Sequence, residues 1–328
     1  MAAPTTTFGT AGPATGSRSF VQRIREGDEI ARLITFLFAA SVVLITVLLV
    51  YQLWIDSVLP RHKFGFHFFV TSVWDPIMDQ FGALPFIYGT VVTSAVALII
   101  AVPLGIGAAI FLAELAPPRI SDTLQFFIDL LAAVPSVIYG LLGFFVIVPM
   151  MRSVIAPALR STLGFLPIFS GPSYGVGFFT AGIVLAIMVI PYIISVSREV
   201  LLSVPRDQRE AALALGCTRW EATWKVVVPF AKTGIMGSIF LAMARALGET
   251  MAVTMVIGNS PKIAASLFAP GYTIAAVIAN EFTEATGDLY LQSLIYLGLV
   301  LFLLTFLLNG LARILILATT QKGSKAAA

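Results

Sequence analysis

Charge is the scarcest property of this chain. Only 11% of its 328 residues are Asp, Glu, Lys or Arg, where a soluble domain carries about a quarter, so a water-facing globular surface is excluded. Cysteine is nearly absent: Cys217 stands alone and cannot form an internal disulfide. The two histidines, His62 and His67, flank one short aromatic stretch, and no Cys or His cluster has the spacing of metal ligands, so no metal site is expected. No Gly-Lys dipeptide occurs, which excludes a Walker phosphate loop. A nucleophilic serine elbow and a His-Glu-x-x-His pair are missing as well, so no catalytic residues are expected in this polypeptide.

What is present is apolar. Hydrophobic residues make up 58% of the chain, mean hydropathy is +0.95, and lipid is the solvent such a composition suits. The net charge of +3 does not point to nucleic acid, because the basic residues sit between apolar runs instead of on one face. Residues 1–28, rich in Ala, Thr, Gly and Ser, read as a disordered tail. Uncharged or nearly uncharged runs then predict an all-α integral membrane domain over 29–318, with a short tail at 319–328. The six expected spans are Leu33–Ile55, Phe81–Ala113, Leu130–Met151, Gly177–Ser197, Gly234–Ile257 and Leu289–Ala312. The first is too long an apolar core for a cleaved signal peptide.

Positive charge orients the spans, since Lys and Arg flanks are retained on the cytoplasmic side. With the N-terminus inside, the inner segments hold fourteen: Arg18, Arg23, Arg25, Arg32, Arg119, Arg198, Arg206, Arg209, Arg219, Lys225, Lys232, Arg313, Lys322 and Lys325. The outer ones hold Arg61, Lys63, Arg152, Arg160 and Lys262. Both termini are therefore expected in the cytoplasm. Pro103, Pro135 and Pro191 fall inside these spans and are expected to kink them. The run Tyr272–Phe282 is apolar enough for a short interfacial or re-entrant helix in an outer loop. No internal repeat signals the inverted halves of a secondary transporter.

The largest inner loop, 198–232, is polar yet patterned. Pro205 suits a first helical turn with Ser203 or Asp207 near the cap, Gln208–Leu215 are strong helix formers, Gly216 can end the helix left-handed, and a second short helix is expected over Thr218–Val226. Glu210, Ala211 and Ala212, with Gly216 six residues after the glutamate and Pro229 nineteen after it, resemble the EAA loop of ABC importer permeases. Phe111–Pro117, Asp129–Gly140 and Arg245–Ala252 are similar to the phosphate-specific (Pst) permease pair, and the long segment before Phe81 resembles the PstC-type subunit.

That resemblance implies a type I importer fold and four kinds of partner. These are a PstA-like second permease, a PstB-like ATPase dimer that binds the ATP and magnesium, a PstS-like phosphate-binding protein, and the bilayer. Within the loop it implies that Glu210, Ala211, Ala212 and Gly216 seat in the ATPase. A permease for sulfate, molybdate or phosphonate is the alternative in the same class; an ion-coupled secondary transporter is the alternative outside it.

Arg245 and Glu249 interrupt the fifth span. Each charge near mid-bilayer costs about 2.5 to 3.5 kcal/mol. Four residues apart on a continuous helix, they would share one face. Mutual neutralisation is one reading. The other makes Arg245 a transient oxyanion contact, its guanidinium fork matching phosphate oxygens, with Glu249 holding the arginine when no anion is present; the resemblance implies the same transport role. Glu114 and Asp129 lie near the inner ends of the second and third spans, where capping and snorkelling account for them.

Overall fold

The computed structural model describes residues 28–325, with side chains from 29 to 314. The tail expected over 1–28 lies outside this range except for Asp28, as do Arg18, Arg23, Arg25 and the side chains of Lys322 and Lys325. The chain divides into two compact units, residues 1–52 and 53–328. Helix α1 (Asp28–Ile55) is the described part of the first and runs on into the second. From Leu33 onward it is uncharged, and at 1.5 Å per residue it is long enough for a hydrocarbon core of about 30 Å.

The second unit continues with α2 (Val58–Phe64), α3 (His67–Val70) and a short hairpin, β1 (Trp74–Asp75) and β2 (Gln80–Phe81), in which Trp74 faces Phe81. Then come α4 (Leu84–Leu115), α5 (Pro118–Ala132), α6 (Ser136–Leu163), α7 (Phe178–Leu202), α8 (Arg206–Ala214), α9 (Arg219–Gly248), α10 (Met251–Ile257), α11 (Ile274–Glu281) and α12 (Asp288–Lys325). Six of these helices, α1, α4, α6, α7, α9 and α12, are long and apolar enough to cross a membrane.

Several expected boundaries are corrected. The third span begins at Ser136, because α5 ends at Ala132 and Pro135 stands outside the helix in extended backbone (ψ 139°). Pro135 thus starts a span instead of kinking one, and the helix continues past Met151 to Leu163, carrying Arg152 and Arg160 on it. The fifth span is α9, which stops at Gly248 instead of running to Ile257. The second short helix of the 198–232 loop is the beginning of that same span, since α9 is unbroken from Arg219. At the C-terminal end, α12 continues as helix through Lys325.

Prolines explain the irregularities inside the spans. Four wide π turns occur, at Phe111–Leu115, Gly143–Ile147, Met151–Ile155 and Thr223–Val227. Each is followed two residues later by a proline: Pro117, Pro149, Pro157 and Pro229. Proline has no N–H to donate and its ring crowds the carbonyl four residues earlier; the wide turns ahead of Pro149, Pro157 and Pro229 absorb that mismatch, whereas Pro117 stands outside α4 in extended backbone. Pro103 and Pro191 lie inside α4 and α7 as expected.

Helix α7 is the most buried span and the centre of the core. Ala97 and Ala101 of α4, Tyr139 and Ile147 of α6, Ala242 and Ala246 of α9 and Val253 to Ile257 of α10 pack around its Phe178–Ile193 stretch. Small residues let the backbones approach, which is how helices associate in lipid. A Cβ on Gly182 would run into Val96, and one on Gly105 into Ile193. Gly182→Leu should therefore force α4 and α7 apart. We expect a loss of about 1 to 3 kcal/mol from overpacking, read as a lower thermal midpoint of the detergent-solubilised chain. Ser197 and Ser238, both buried and 2.7 Å apart, tie α7 to α9 by a hydrogen bond.

The end of the bundle away from α8 is closed by α11, the short helix expected near Tyr272–Phe282. Thr273 caps it, accepting from the Ala276 N–H at 3.3 Å, and the Ile274 N–H donates to Thr90 Oγ1 at 3.0 Å. Glu281 at its far end accepts from Trp74 Nε1 and from the Tyr290 hydroxyl, each at 2.8 Å. The long segment before Phe81 is thereby fastened to α11 and α12.

Candidate functional site

The α8–α9 turn is built by local chemistry. Pro205, extended at ψ 140°, fixes the entry to α8, and neither Ser203 nor Asp207 caps it: the Ser203 hydroxyl donates to the Val200 carbonyl instead. At the other end Gly216 takes φ +86°. The Gly216 N–H donates to the Leu213 carbonyl at 3.0 Å and the Cys217 N–H to that of Ala212 at 3.2 Å, the paired closure of a Schellman motif. Thr218 then caps α9: its hydroxyl accepts from the Glu221 N–H at 3.2 Å while the Glu221 carboxylate accepts from the Thr218 N–H at 3.0 Å.

Most of this turn faces outward. Ala212 is the buried residue of α8, whereas Glu210, Ala211 and Gly216 are exposed. So are large apolar side chains, Leu215 at 86% and Trp220 and Trp224 at about half. A helix–glycine–helix corner carrying exposed leucine and tryptophan is a surface suited to being covered.

Sequence reasoning missed what holds α8 in place. Arg209 forms an ion pair with Glu114 at 2.8 Å, reaching from α8 to the end of α4. Glu114 is thus neither a cap nor a snorkelling residue. Nearby, Arg198 of α7 donates to Ser121 Oγ at 3.0 Å and to Asp122 at 3.2 Å on α5, and Ser121 in turn donates to the Leu112 carbonyl at 2.8 Å. Asp129 accepts from Gln125 and from Ser195 of α7, both at 2.7 Å. The spacing between Glu114 and Arg209, 95 residues, leaves no local signal.

The second place of interest is the break after α9. Gly248 ends that helix, Glu249 is extended (φ −69°, ψ 129°), and α10 starts at Met251. Arg245 and Glu249 therefore do not share a helix face, which corrects the sequence expectation. Glu249 turns toward α10 and accepts from the Ala252 N–H at 3.3 Å. Arg245 lies over the ring of Tyr192 on α7, 5.9 Å from its centre, within cation–π range. Among the described residues the ion pairs do not include one between Arg245 and Glu249. Ala252 packs against Gly140 of α6, where a Cβ would come within 3.1 Å of its Cα.

Arg245 is exposed on this chain. An arginine at membrane depth is not left against lipid, so its face must meet water or another protein surface. A helix broken at that depth likewise leaves carbonyls that only protein or a wet cavity can satisfy. Arg245 and the open end of α9 thus mark a face on which a polar species can be accommodated. No group of three or more His, Cys, Asp and Glu side chains among the described residues is placed to hold a metal ion.

A model of the family described as binding-protein-dependent transport system inner membrane component matches residues 101–320. A phosphate transport system permease protein PstC of Mesorhizobium japonicum is 50% identical over 258 residues, 77% of this chain and 79% of that protein. Another, from Haemophilus influenzae, is 46% identical over 295 residues, 89% of this chain and 93% of that protein. Among solved structures, a bacterial ABC transporter involved in the import of the acidic polysaccharide alginate has a chain that matches with a TM-score of 0.57 at 17% identity, over 89% of this chain and 98% of that one. The MetNI methionine ABC transporter in an inward-facing conformation matches at 0.51 and 16%, over 74% and 99%. At those identities the structures speak to the fold alone, and the fold is that of an ABC importer permease. The chain belongs to the family of PstC-type phosphate transport system permeases, within the binding-protein-dependent transport inner membrane components.

Proposed function

We propose that this chain forms one half of the membrane pathway of an ATP-driven importer for inorganic phosphate. The other half is a PstA-like permease, the motor a PstB-like ATPase dimer that binds ATP and magnesium, and the supplier a PstS-like phosphate-binding protein on the opposite side of a bacterial inner membrane. The names of the relatives support phosphate as the substrate. The excess of Lys and Arg flanking alternate spans supports a cytoplasmic location for the α8–α9 turn and both termini. In this arrangement Glu210, Ala211 and Gly216 face the ATPase as an EAA-type coupling loop, Ala212 seats α8 on this chain instead, and the exposed Leu215 and Trp220 extend the contact with the ATPase.

Arg245 is the observation that carries the oxyanion reading: an exposed guanidinium on a membrane helix, stacked on Tyr192 beside a helix break. Its donors can bind phosphate oxygens in a fork, and the absence of a paired carboxylate among the described ion pairs leaves that fork available. Glu249, in its observed position, acts on the break and not on the arginine. Conformational exchange between outward-open and inward-open states is driven only as far as partners bind the two states differently.

The test is purification of the tagged chain from membranes in mild detergent. We expect the second permease and the ATPase to co-elute, and phosphate-loaded binding protein to stimulate ATP hydrolysis by the reconstituted complex where sulfate does not. Recovery of the chain without an ATPase would sink the importer reading; equal stimulation by sulfate would sink phosphate selectivity.

A further inference from the structure

Arg209 is turned inward, whereas its neighbours Arg206 and Arg219 are exposed. All three of its nitrogens are used. NH2 donates to Glu114 Oε1 at 2.8 Å and to the Leu201 carbonyl at 2.7 Å, Nε stands 3.2 Å from both Glu114 oxygens, and NH1 donates to the Val204 carbonyl. One guanidinium therefore fastens α8 to the last turn of α4 and to the end of α7. The two side chains are 22% and 10% exposed, dry enough that losing either partner strands a charge. Beside the burial of Ala212 and the contact of α8 with the start of α9, this pair is the polar attachment of α8 to α4.

The surroundings are the least regular parts of the two helices they belong to. Glu114 sits within the π turn Phe111–Leu115, closed by the Ala116 N–H to Phe111 carbonyl bond at 2.8 Å. Glu114 and Arg209 line an open cavity together with Leu213 of α8 and with Thr223 and Val227 of the π turn near the start of α9. A wide turn can shift by one hydrogen bond without unravelling its helix, which is why such turns recur at moving sites. Displacing α8 pulls on Glu114 through the ion pair, and the π turn of α9 lies in contact with α8.

We propose that the Glu114–Arg209 pair is the joint through which movement of α8 is conveyed to α4 and α7, making both residues positioning residues for coupling. The inference rests on α8 being the surface that meets the ATPase. A purely structural pair would hold the fold together and leave the stoichiometry of transport untouched. A joint would set how much of each ATPase cycle reaches the spans.

The discriminating measurement is phosphate moved per ATP hydrolysed by the complete complex in proteoliposomes, with contact to the ATPase followed by crosslinking from the native Cys217. In Glu114→Gln, hydrolysis and the crosslink should persist while phosphate per ATP falls about tenfold, within the usual range for energetic coupling between sites. Arg209→Ala should do the same, and the double Glu114→Ala, Arg209→Ala variant should be no worse than either single change, since partners in one interaction are not additive. Unchanged phosphate per ATP in these variants overturns the proposal, whatever happens to complex yield. Should Glu114→Gln fail to assemble, Glu114→Asp keeps the charge and shortens its reach; an intermediate ratio supports the joint and an unaltered one overturns it. A missing crosslink in the otherwise unaltered chain would instead refute the coupling role of α8 itself.

Discussion

Arg245→Gln is expected to lower phosphate uptake by roughly a hundredfold or more while the complex still assembles. In the proposed role Arg245 gives phosphate two charge-assisted hydrogen bonds, worth about 1.5 to 3 kcal/mol each, and every 1.4 kcal/mol is a factor of about ten. Folding should suffer little, because Arg245 is exposed on this chain and its contact is the Tyr192 ring. Arg245→Lys should fall between, keeping the charge but not the planar fork. Glu249→Gln should have a small effect by comparison, since a neutral amide oxygen can still accept from the Ala252 N–H that Glu249 now caps. Uptake of labelled phosphate at matched abundance measures all three. Had the two residues formed a neutralising pair, both variants would fail together; the separation seen at the break makes unequal outcomes the expectation. Normal uptake by Arg245→Gln would remove the arginine from the pathway.

That separation marks the limit of what the residues alone disclose. The six spans follow from uncharged runs, and the α8–α9 corner follows from Pro205, Gly216 and the Thr218/Glu221 pair, because each is decided within a few residues. The end of α9 is not. Gly248 is one glycine among several in that span, and the segment after the break packs on Gly140, more than a hundred residues away in sequence. Pro135 shows the converse: a breaker plainly visible, whose role as a helix start depended on where α5 stopped. The π turns are not legible from proline alone, since Pro103 and Pro191 lie within α4 and α7 with no wide turn just ahead of them. Glu114 and Arg209 were individually conspicuous, but a partner 95 residues distant is settled by how α4, α7 and α8 converge.

Gly216→Val should cut phosphate uptake about tenfold, whereas Gly216→Asn should stay close to the unmodified chain. At φ +86° a left-handed backbone costs an ordinary side chain about 1 to 2 kcal/mol, and β-branching makes the conformation worse; asparagine visits it far more readily. Space is not the issue, since a Cβ at Gly216 would meet no atom within 4 Å. The penalty therefore falls on the angle between α8 and α9, and with it on the Gly216 and Cys217 N–H bonds that close α8. A chain that holds the docking angle only part of the time binds its motor in proportion to that fraction, so the defect should appear as weaker stimulation of ATP hydrolysis that excess ATPase restores. If valine and asparagine behaved alike, the left-handed turn would have no part in coupling, and the exposed Leu215 and Trp220 surface would have to act without a fixed corner to present it.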